Sequence, residues 1–272
     1  MTLAVVRPDL SQRTALSKSA LGTFDFCNAK AWFEIHDRRP MLPSEKLSFG
    51  SALDAATEAL IVGERDGRDA TQAVADAIVY VEERDEIALD HEELTRAIDG
   101  FQELMLKFDW TGVATQPSLW ATIPGIGEVN GHPDIVLAHN DIWDVKATGT
   151  KKKAQKKPLP SAELGLYALL LEHAHGVTVN ETGYFTWLRN GSGHWEPQRQ
   201  PVDDELRRWS WEQLRRFAAV KALDAQLNEG ADEPTNTVFA GGPKFSGLCS
   251  DCQYAPWNDG PCAIAYQGGN EE

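Results

Sequence analysis

The sequence predicts an α/β fold in which a central mixed sheet is flanked by helices. Short segments of alternating apolar residues, separated by Gly, Pro and Asn turns, follow a group of helical segments. One helical segment lies between two strand segments, which predicts a crossover connection. The chain has 272 residues, enough for one large domain or two small ones, and no linker rich in Pro or Ser divides it.

The N-terminal part of the chain is predicted to be helical. The segment 16–36 has Ser17 or Ser19 as a helix cap and an apolar face. The segment 50–62 is rich in Ala and opens with a small residue, which indicates a helix. Two further helices are predicted near 71–81 and 91–108.

The second part alternates strands and helices. An antiparallel meander is predicted with strands at 119–123, 127–129, 134–138 and 142–145. The chain then continues with a basic loop, a helix at 161–172, a strand at 177–188 and an amphipathic helix at 203–228.

The charge is unevenly distributed. The formal net charge is −15, which argues against a protein that coats nucleic acid through bulk charge. The stretch 64–109 alone holds 14 acidic and 5 basic residues, whereas 144–160 holds six Lys and one Asp. The loop KKKAQKK, with Lys151, Lys152 and Lys153, is either a solvated charge run or a salt-dependent contact with phosphates.

Two classes of protein are not expected. The chain has no run of 18 apolar residues, so no membrane span is predicted. The N-terminus lacks a continuous apolar signal core, so secretion is not expected. We therefore expect a cytoplasmic location.

The four cysteines are Cys27, Cys249, Cys252 and Cys262. In a chain without a leader they are expected to be metal ligands or free thiols rather than disulfides. The C-x2-C pair is a common clamp for zinc or for an iron–sulfur cluster. Cys27 lies far from the other three cysteines in the sequence, which is unusual for a compact zinc ribbon. This spacing favours an iron–sulfur cluster, and zinc remains the alternative.

The segment GHPDIVLAHNDIWDVKATGT carries the most informative residues. Asp134 stands at a turn-to-strand junction, and Asp144 and Lys146 follow on the next strand. Residues i and i+2 of a strand face the same side, so Asp144 and Lys146 project together, and a hairpin brings Asp134 beside them. Two carboxylates suit Mg²⁺ or Mn²⁺, and a lysine stabilises developing negative charge. The alternative is a set of surface salt bridges on a hairpin.

This segment resembles motifs two and three of the PD-(D/E)xK nuclease superfamily, Gly-His-Pro followed by D-x(9)-D-x-K. It is most similar to the RecB-like branch, which includes CRISPR-associated and AddB-type iron–sulfur exonucleases. Four further segments are similar to motifs of that branch, in the same order. They are SKSALGTFDFCNAKAWFE (S-x-S-x-L…C), SFGSALDAATEAL (G-x-x-x-H), ELGLYALLLE (Q-x-x-x-Y) and the trailing C-x2-C-x9-C.

The resemblance spans 16–262 and implies one nuclease domain with a restriction-endonuclease-like core. Its expected parts are a helical part with the first cysteine (16–62), a helical insertion (63–110), the nuclease core (117–190), a long helix (203–229) and a cluster-binding loop (245–265). The implied catalytic residues are Asp134, Asp144 and Lys146, and the implied metal ligands are Asp54, Asp134, Asp144 and the carbonyl of Val145. The resemblance also implies a [4Fe–4S] cluster on Cys27, Cys249, Cys252 and Cys262, which would join the N- and C-terminal segments.

Two positions depart from the family pattern. Asp54 stands where the family has histidine, and it is either a metal ligand or a helix-surface residue. Glu163 stands where the family has glutamine, so its contact with nucleic acid or with the lysine is left open. Tyr167, one helical turn further on, either packs in the core or contacts the nucleic-acid backbone.

The function implied by the resemblance is that of a Mg²⁺- or Mn²⁺-dependent deoxyribonuclease, an exonuclease with possible endonuclease activity. Its expected substrate is single-stranded DNA or DNA with free ends, in recombination, repair or end processing, in a bacterium or, if phage-encoded, in its host. A helicase, recombinase or integrase is the expected partner. The rival, motivated by Asp54 and Glu163, is a catalytically weak or inactive subunit that binds DNA ends with such a partner.

Overall fold

A computed structural model describes residues 16–17, 20–21, 23, 27, 30, 42–110, 113–148, 159–189, 191–227 and 252–253. The helices are α1 (Glu45–Arg65), α2 (Thr71–Asp85), α3 (His91–Met105), α4 (Ala162–His175) and α5 (Asp204–Leu227). The strands are β1 (Leu16–Ser17), β2 (Ala114–Thr115), β3 (Leu119–Ile123), β4 (Gly127–Gly131), β5 (Ile135–Val136), β6 (Ile142–Ala147), β7 (Glu181–Leu188) and β8 (His194–Pro201). Among these helices, none is both long enough and apolar enough to cross a membrane.

The described strands form two mixed sheets, which confirms the α/β class. One sheet has the order β1-β4-β3 and the other the order β2-β5-β6-β7-β8. β1 with β4 and β6 with β7 are parallel pairs, and the other neighbours are antiparallel. The prediction of a single sheet is therefore wrong for the described residues.

The predicted antiparallel meander is interrupted between β4 and β5. β3 pairs with β4 and β5 pairs with β6, but the chain passes from one sheet to the other at 132–134. The predicted strand 134–138 is reduced to the two residues of β5, because a tight turn begins at Leu137. In that turn the Leu137 N–H donates to the carbonyl of Asp141 at 2.9 Å.

α4 forms the predicted crossover between the parallel strands β6 and β7. It contacts β3, β4, β6, β7 and α5, so it lies between the two sheets. This position explains why α4 is apolar on all sides rather than amphipathic. Ser161 caps the helix, since its Oγ accepts from the N–H of Leu164 at 3.4 Å.

α1 packs against α2, α3 and β6, and α3 packs against β8. α1 begins five residues before the predicted start because Ser44 caps it, accepting from the N–H of Leu47 at 3.4 Å. A buried ion pair ties this group to the sheet. Arg189, which follows β7, donates to Glu93 of α3 at 2.9 and 3.0 Å and to Glu45 of α1 at 2.8 Å.

Two strands differ from the sequence prediction. β8 was not expected, because its sequence HWEPQRQP contains prolines, which strands accept mainly at a sheet edge. β8 lies at such an edge. Residues 16–17, expected within a helical segment, pair as a short strand with Val129 and Asn130. The Oγ of Ser17 accepts from the N–H of Ala20 at 3.2 Å, as a helix-capping side chain does, and Ser19 lies outside the described residues.

Candidate active site

The β5–β6 hairpin brings Asp134, Asp144 and Lys146 together. Ile135 pairs with Trp143, so Asp134, one residue earlier, lies beside the start of the Asp-x-Lys segment. The Oδ2 of Asp134 accepts from the backbone N–H of Val145 at 2.7 Å. This hydrogen bond extends the hairpin beyond its last backbone pair and fixes the Asp134 carboxylate next to β6.

The Lys146 ammonium lies among three oxygens at this position. Nζ forms an ion pair with Asp144 Oδ2, donates to the carbonyl of Val145 at 3.0 Å and lies 3.7 Å from Asp134 Oδ2. The side chain of Asp144 is 1% exposed, that of Asp134 15% and that of Lys146 25%. The cluster therefore runs from a buried carboxylate to a lysine that reaches solvent.

The electrostatics of the cluster favour a bound cation. The pKa of Asp134 is raised well above its usual range, first by burial and then by the negative charge of Asp144. Asp54 adds to this effect, and Lys146 opposes it. Two carboxylates that share one small volume repel each other, and positive charge placed between them relieves the repulsion.

The donor atoms suit a hard divalent cation. The motif resemblance implies three metal ligands, which are Asp134, Asp144 and the Val145 carbonyl. Their oxygens all face the ammonium of Lys146, and oxygen atoms are the ligands that hard divalent cations prefer. Within the described ranges, no three Asp, Glu, His or Cys side chains converge closely enough to hold a metal ion alone. A metal held by the two aspartates would thus depend on backbone carbonyl and water ligands as well.

Asp54 approaches the cluster from α1. Its charge acts on Asp134, and its Oδ2 accepts from Nε2 of Gln116 at 3.3 Å. Its role as a metal ligand stays a prediction. Gln116 was missed because the residue belongs to no recognisable motif and comes near Asp54 only through the packing of α1 beside β2.

Tyr167 and Gly131 shape the turn before Asp134. Tyr167 is 3% exposed, and its Oη donates to the carbonyl of His132 at 2.9 Å. Burial, followed by the charges of Asp144 and Asp134, raises the pKa of Tyr167, so the phenol stays protonated. A Cβ on Gly131 would meet Leu170 Cδ1 at 2.9 Å and Tyr167 Cε1 at 3.0 Å. Of the two alternatives for Tyr167, these contacts favour the core.

The remaining predicted residues are placed only in part. Glu163, in the first turn of α4, is half-buried. Cys27 and Cys252 are half-buried and pack against the same apolar cluster, which includes residues of α4 and α5. Cys249, Cys262, Lys151, Lys152 and Lys153 lie outside the described residues.

Comparison with protein families identifies the fold of this site. The sequence profile described as the PD-(D/E)XK nuclease superfamily matches residues 15–257. The chain belongs to this superfamily. The assignment of its catalytic aspartates and lysine to Asp134, Asp144 and Lys146 rests on the resemblance of the motifs and stays a prediction.

A solved structure has a similar fold at low sequence identity. A provisionally assigned exonuclease from Eubacterium rectale is 10% identical, with a TM-score of 0.50, over 84% of this chain and 97% of its own. An alkaline exonuclease from Laribacter hongkongensis is 12% identical, with a TM-score of 0.33. The match covers 65% of the present chain and 90% of the Laribacter chain. No curated protein sequence matches significantly.

Proposed function

We propose that this superfamily member is a metal-dependent DNA exonuclease. The observation that carries the proposal is the cluster in which Lys146 faces both Asp134 and Asp144 across the β5–β6 hairpin. A divalent cation would be held by Asp134, Asp144 and the Val145 carbonyl, with Asp54 as a further ligand. When bound, Mg²⁺ or Mn²⁺ polarises the phosphate and lowers the pKa of a coordinated water.

The chain's own residues have separate tasks in phosphodiester hydrolysis. Asp134 is fixed by the Val145 N–H and Asp144 by burial, so neither carboxylate needs to reorganise during the reaction. Lys146, the most exposed of the three, supplies positive charge to the transition state or orients the attacking water. Tyr167 holds the turn that presents Asp134.

The charge distribution supports DNA as the substrate. The loop that follows the catalytic strand is rich in lysine, and the acidic residues of 64–109 belong to a different part of the chain. We propose that Lys151, Lys152 and Lys153 contact phosphates, so that DNA binding weakens steeply with salt. Charge reversal at these lysines is expected to lower DNA affinity and flatten its salt dependence.

We further propose that the four cysteines hold a [4Fe–4S] cluster. Cys27 and Cys252 share one apolar environment, and the N–H of Leu42 donates to the side chain of Gln253 at 2.8 Å. These contacts between an N-terminal and a C-terminal segment of the described residues support the proposal. Anaerobic purification tests this: a brown protein with about four irons per chain supports the cluster, whereas a colourless protein with stoichiometric zinc contradicts it.

A second candidate is a weakly active or inactive subunit that binds DNA ends for a helicase, recombinase or integrase, in a bacterial or phage system. The departures of Asp54 and Glu163 from the family pattern favour it. A cleavage assay separates the two functions. Wild type and Lys146→Ala are incubated with Mg²⁺ or Mn²⁺ on end-labelled linear DNA, single- and double-stranded, and on circular DNA.

The exonuclease proposal expects wild type to degrade linear DNA progressively and to leave circles intact, and expects Lys146→Ala to be inactive. If wild type cleaves circular DNA and Lys146→Ala does not, the protein is instead an endonuclease. Equal inactivity of both proteins on every substrate would favour the non-catalytic subunit.

A further inference from the structure

Gln116 links the two separate parts of the protein that bring carboxylates to the candidate site. Its backbone N–H donates to the carbonyl of Asp134 at 2.9 Å, and its side-chain Nε2 donates to Oδ2 of Asp54 at 3.3 Å. Asp134 precedes β5, and Asp54 lies on α1. One residue therefore contacts both the strand side and the helix side of the site.

The pairing of β2 with β5 brings the backbone of Gln116 next to Asp134. Thr115 pairs with Ile135 in an antiparallel ladder, and the bond from Gln116 to Asp134 continues that ladder by one residue. From this position the Gln116 amide reaches the carboxylate of Asp54.

The backbone of Gln116 is held in an unusual conformation. Its φ is +41°, in the left-handed region that side chains other than Gly, Asn and Asp rarely adopt. Of the described residues, two other non-glycine residues have positive φ for local reasons, since Glu86 caps the end of α2 and Asn140 lies in a tight turn. Gln116 instead follows the end of β2, and strained residues of this kind cluster at functional sites.

We propose that Gln116 is a positioning residue that holds the Asp54 carboxylate at the Asp134 strand, in the orientation in which it would bind a divalent cation. The inference rests on the proposed metal-dependent function. It gives the helix-borne aspartate a partner that fixes its orientation. Hydrogen bonds that orient a ligand side chain commonly change metal affinity by about 10- to 100-fold.

The test measures Mn²⁺ binding by electron paramagnetic resonance and thermal stability by calorimetry, on wild type, Gln116→Gly, Asp54→Asn and the double variant. Gln116→Gly removes the amide and relieves the positive φ, so its Tm is expected to equal or exceed that of wild type. Its Mn²⁺ dissociation constant is expected to rise about tenfold. Since Asp54→Asn already removes the carboxylate that Gln116 is proposed to orient, Gln116→Gly is expected to add little in the Asp54→Asn background.

If Gln116→Gly binds Mn²⁺ as tightly as wild type, while Asp134→Asn loses Mn²⁺ binding, this inference is overturned and the proposed function stands. If Asp134→Asn bound Mn²⁺ as tightly as wild type, the proposed metal site itself would fail. A fall in Tm without a change in Mn²⁺ affinity would assign Gln116 a purely structural role and would also overturn the inference.

Discussion

Replacement of Arg189 by methionine tests whether a buried ion pair holds the helical part of the domain against the sheet. Arg189 is 5% exposed and Glu93 is 2% exposed, and two hydrogen bonds of 2.9 and 3.0 Å join them. The guanidinium also stacks on Phe49, 3.8 Å from the ring centroid. Arg189→Met therefore leaves the Glu93 carboxylate buried without its cation.

Breaking a buried pair in this way costs about 3–5 kcal/mol, so Arg189→Met is expected to lower the free energy of unfolding by that amount. The loss corresponds to a fall in Tm of roughly 6–20 °C. Urea unfolding followed by tryptophan fluorescence measures it. The matched control is Arg215→Met, whose exposed pair with Glu212 within α5 is expected to contribute less than about 1 kcal/mol.

The pH dependence gives a second check on the same variant. Without Arg189, burial raises the folded-state pKa of Glu93, so the folded protein binds a proton more readily than the unfolded one. Stability lost at neutral pH is then partly regained as the pH falls toward the pKa of the unfolded state. If Arg189→Met loses no more stability than Arg215→Met, or if its loss of stability stays constant with pH, the Arg189–Glu93 pair does not hold the helices against the sheet.

Two further variants test the contacts around α4. Tyr167→Phe removes the hydrogen bond to the His132 carbonyl, and we expect about 1–2 kcal/mol lower stability in urea unfolding and slower DNA cleavage; an unchanged rate would contradict its positioning role. Gly165→Ala places a Cβ 2.0 Å from Ser210 Oγ, and calorimetry is expected to show about 1–3 kcal/mol of destabilisation. The control is Gly50→Ala, whose new Cβ has no heavy atom within 4 Å. It is expected to stabilise α1 by about 0.5–1 kcal/mol. Similar Tm values for Gly165→Ala and Gly50→Ala would contradict a steric clash at Gly165.

The local part of this fold and site was accessible from the sequence. The starts of α3 and α4 follow from their capping residues, Asp90 and Ser161. Each side chain accepts a hydrogen bond from the backbone N–H three residues further on. Asp134, Asp144 and Lys146 meet because a hairpin and a two-residue strand period are also local features. The resemblance of the motifs to those of the nuclease superfamily then assigned these side chains a shared chemistry.

The parts that sequence reasoning missed depend on contacts between distant segments. Arg189 meets Glu93 across 96 positions, and Gln116 meets Asp54 across 62. Neither pair has a periodicity that a local pattern reveals. The division into two sheets likewise depends on α4 lying between them, a packing arrangement that the spacing of strands does not encode.

The aspartates of the β5–β6 hairpin are proposed to support metal-dependent cleavage of DNA. The most direct measurement compares wild type, Asp134→Asn and Asp141→Asn on end-labelled linear single-stranded DNA across a Mn²⁺ titration. Asp141 lies at the turn of the same hairpin, away from Lys146, so it controls for a lost carboxylate. We predict that Asp134→Asn is slower by about 100-fold or more, since a lost ligand removes several kcal/mol of transition-state stabilisation. Asp141→Asn is expected to match wild type, and equal rates for wild type and Asp134→Asn would contradict the account.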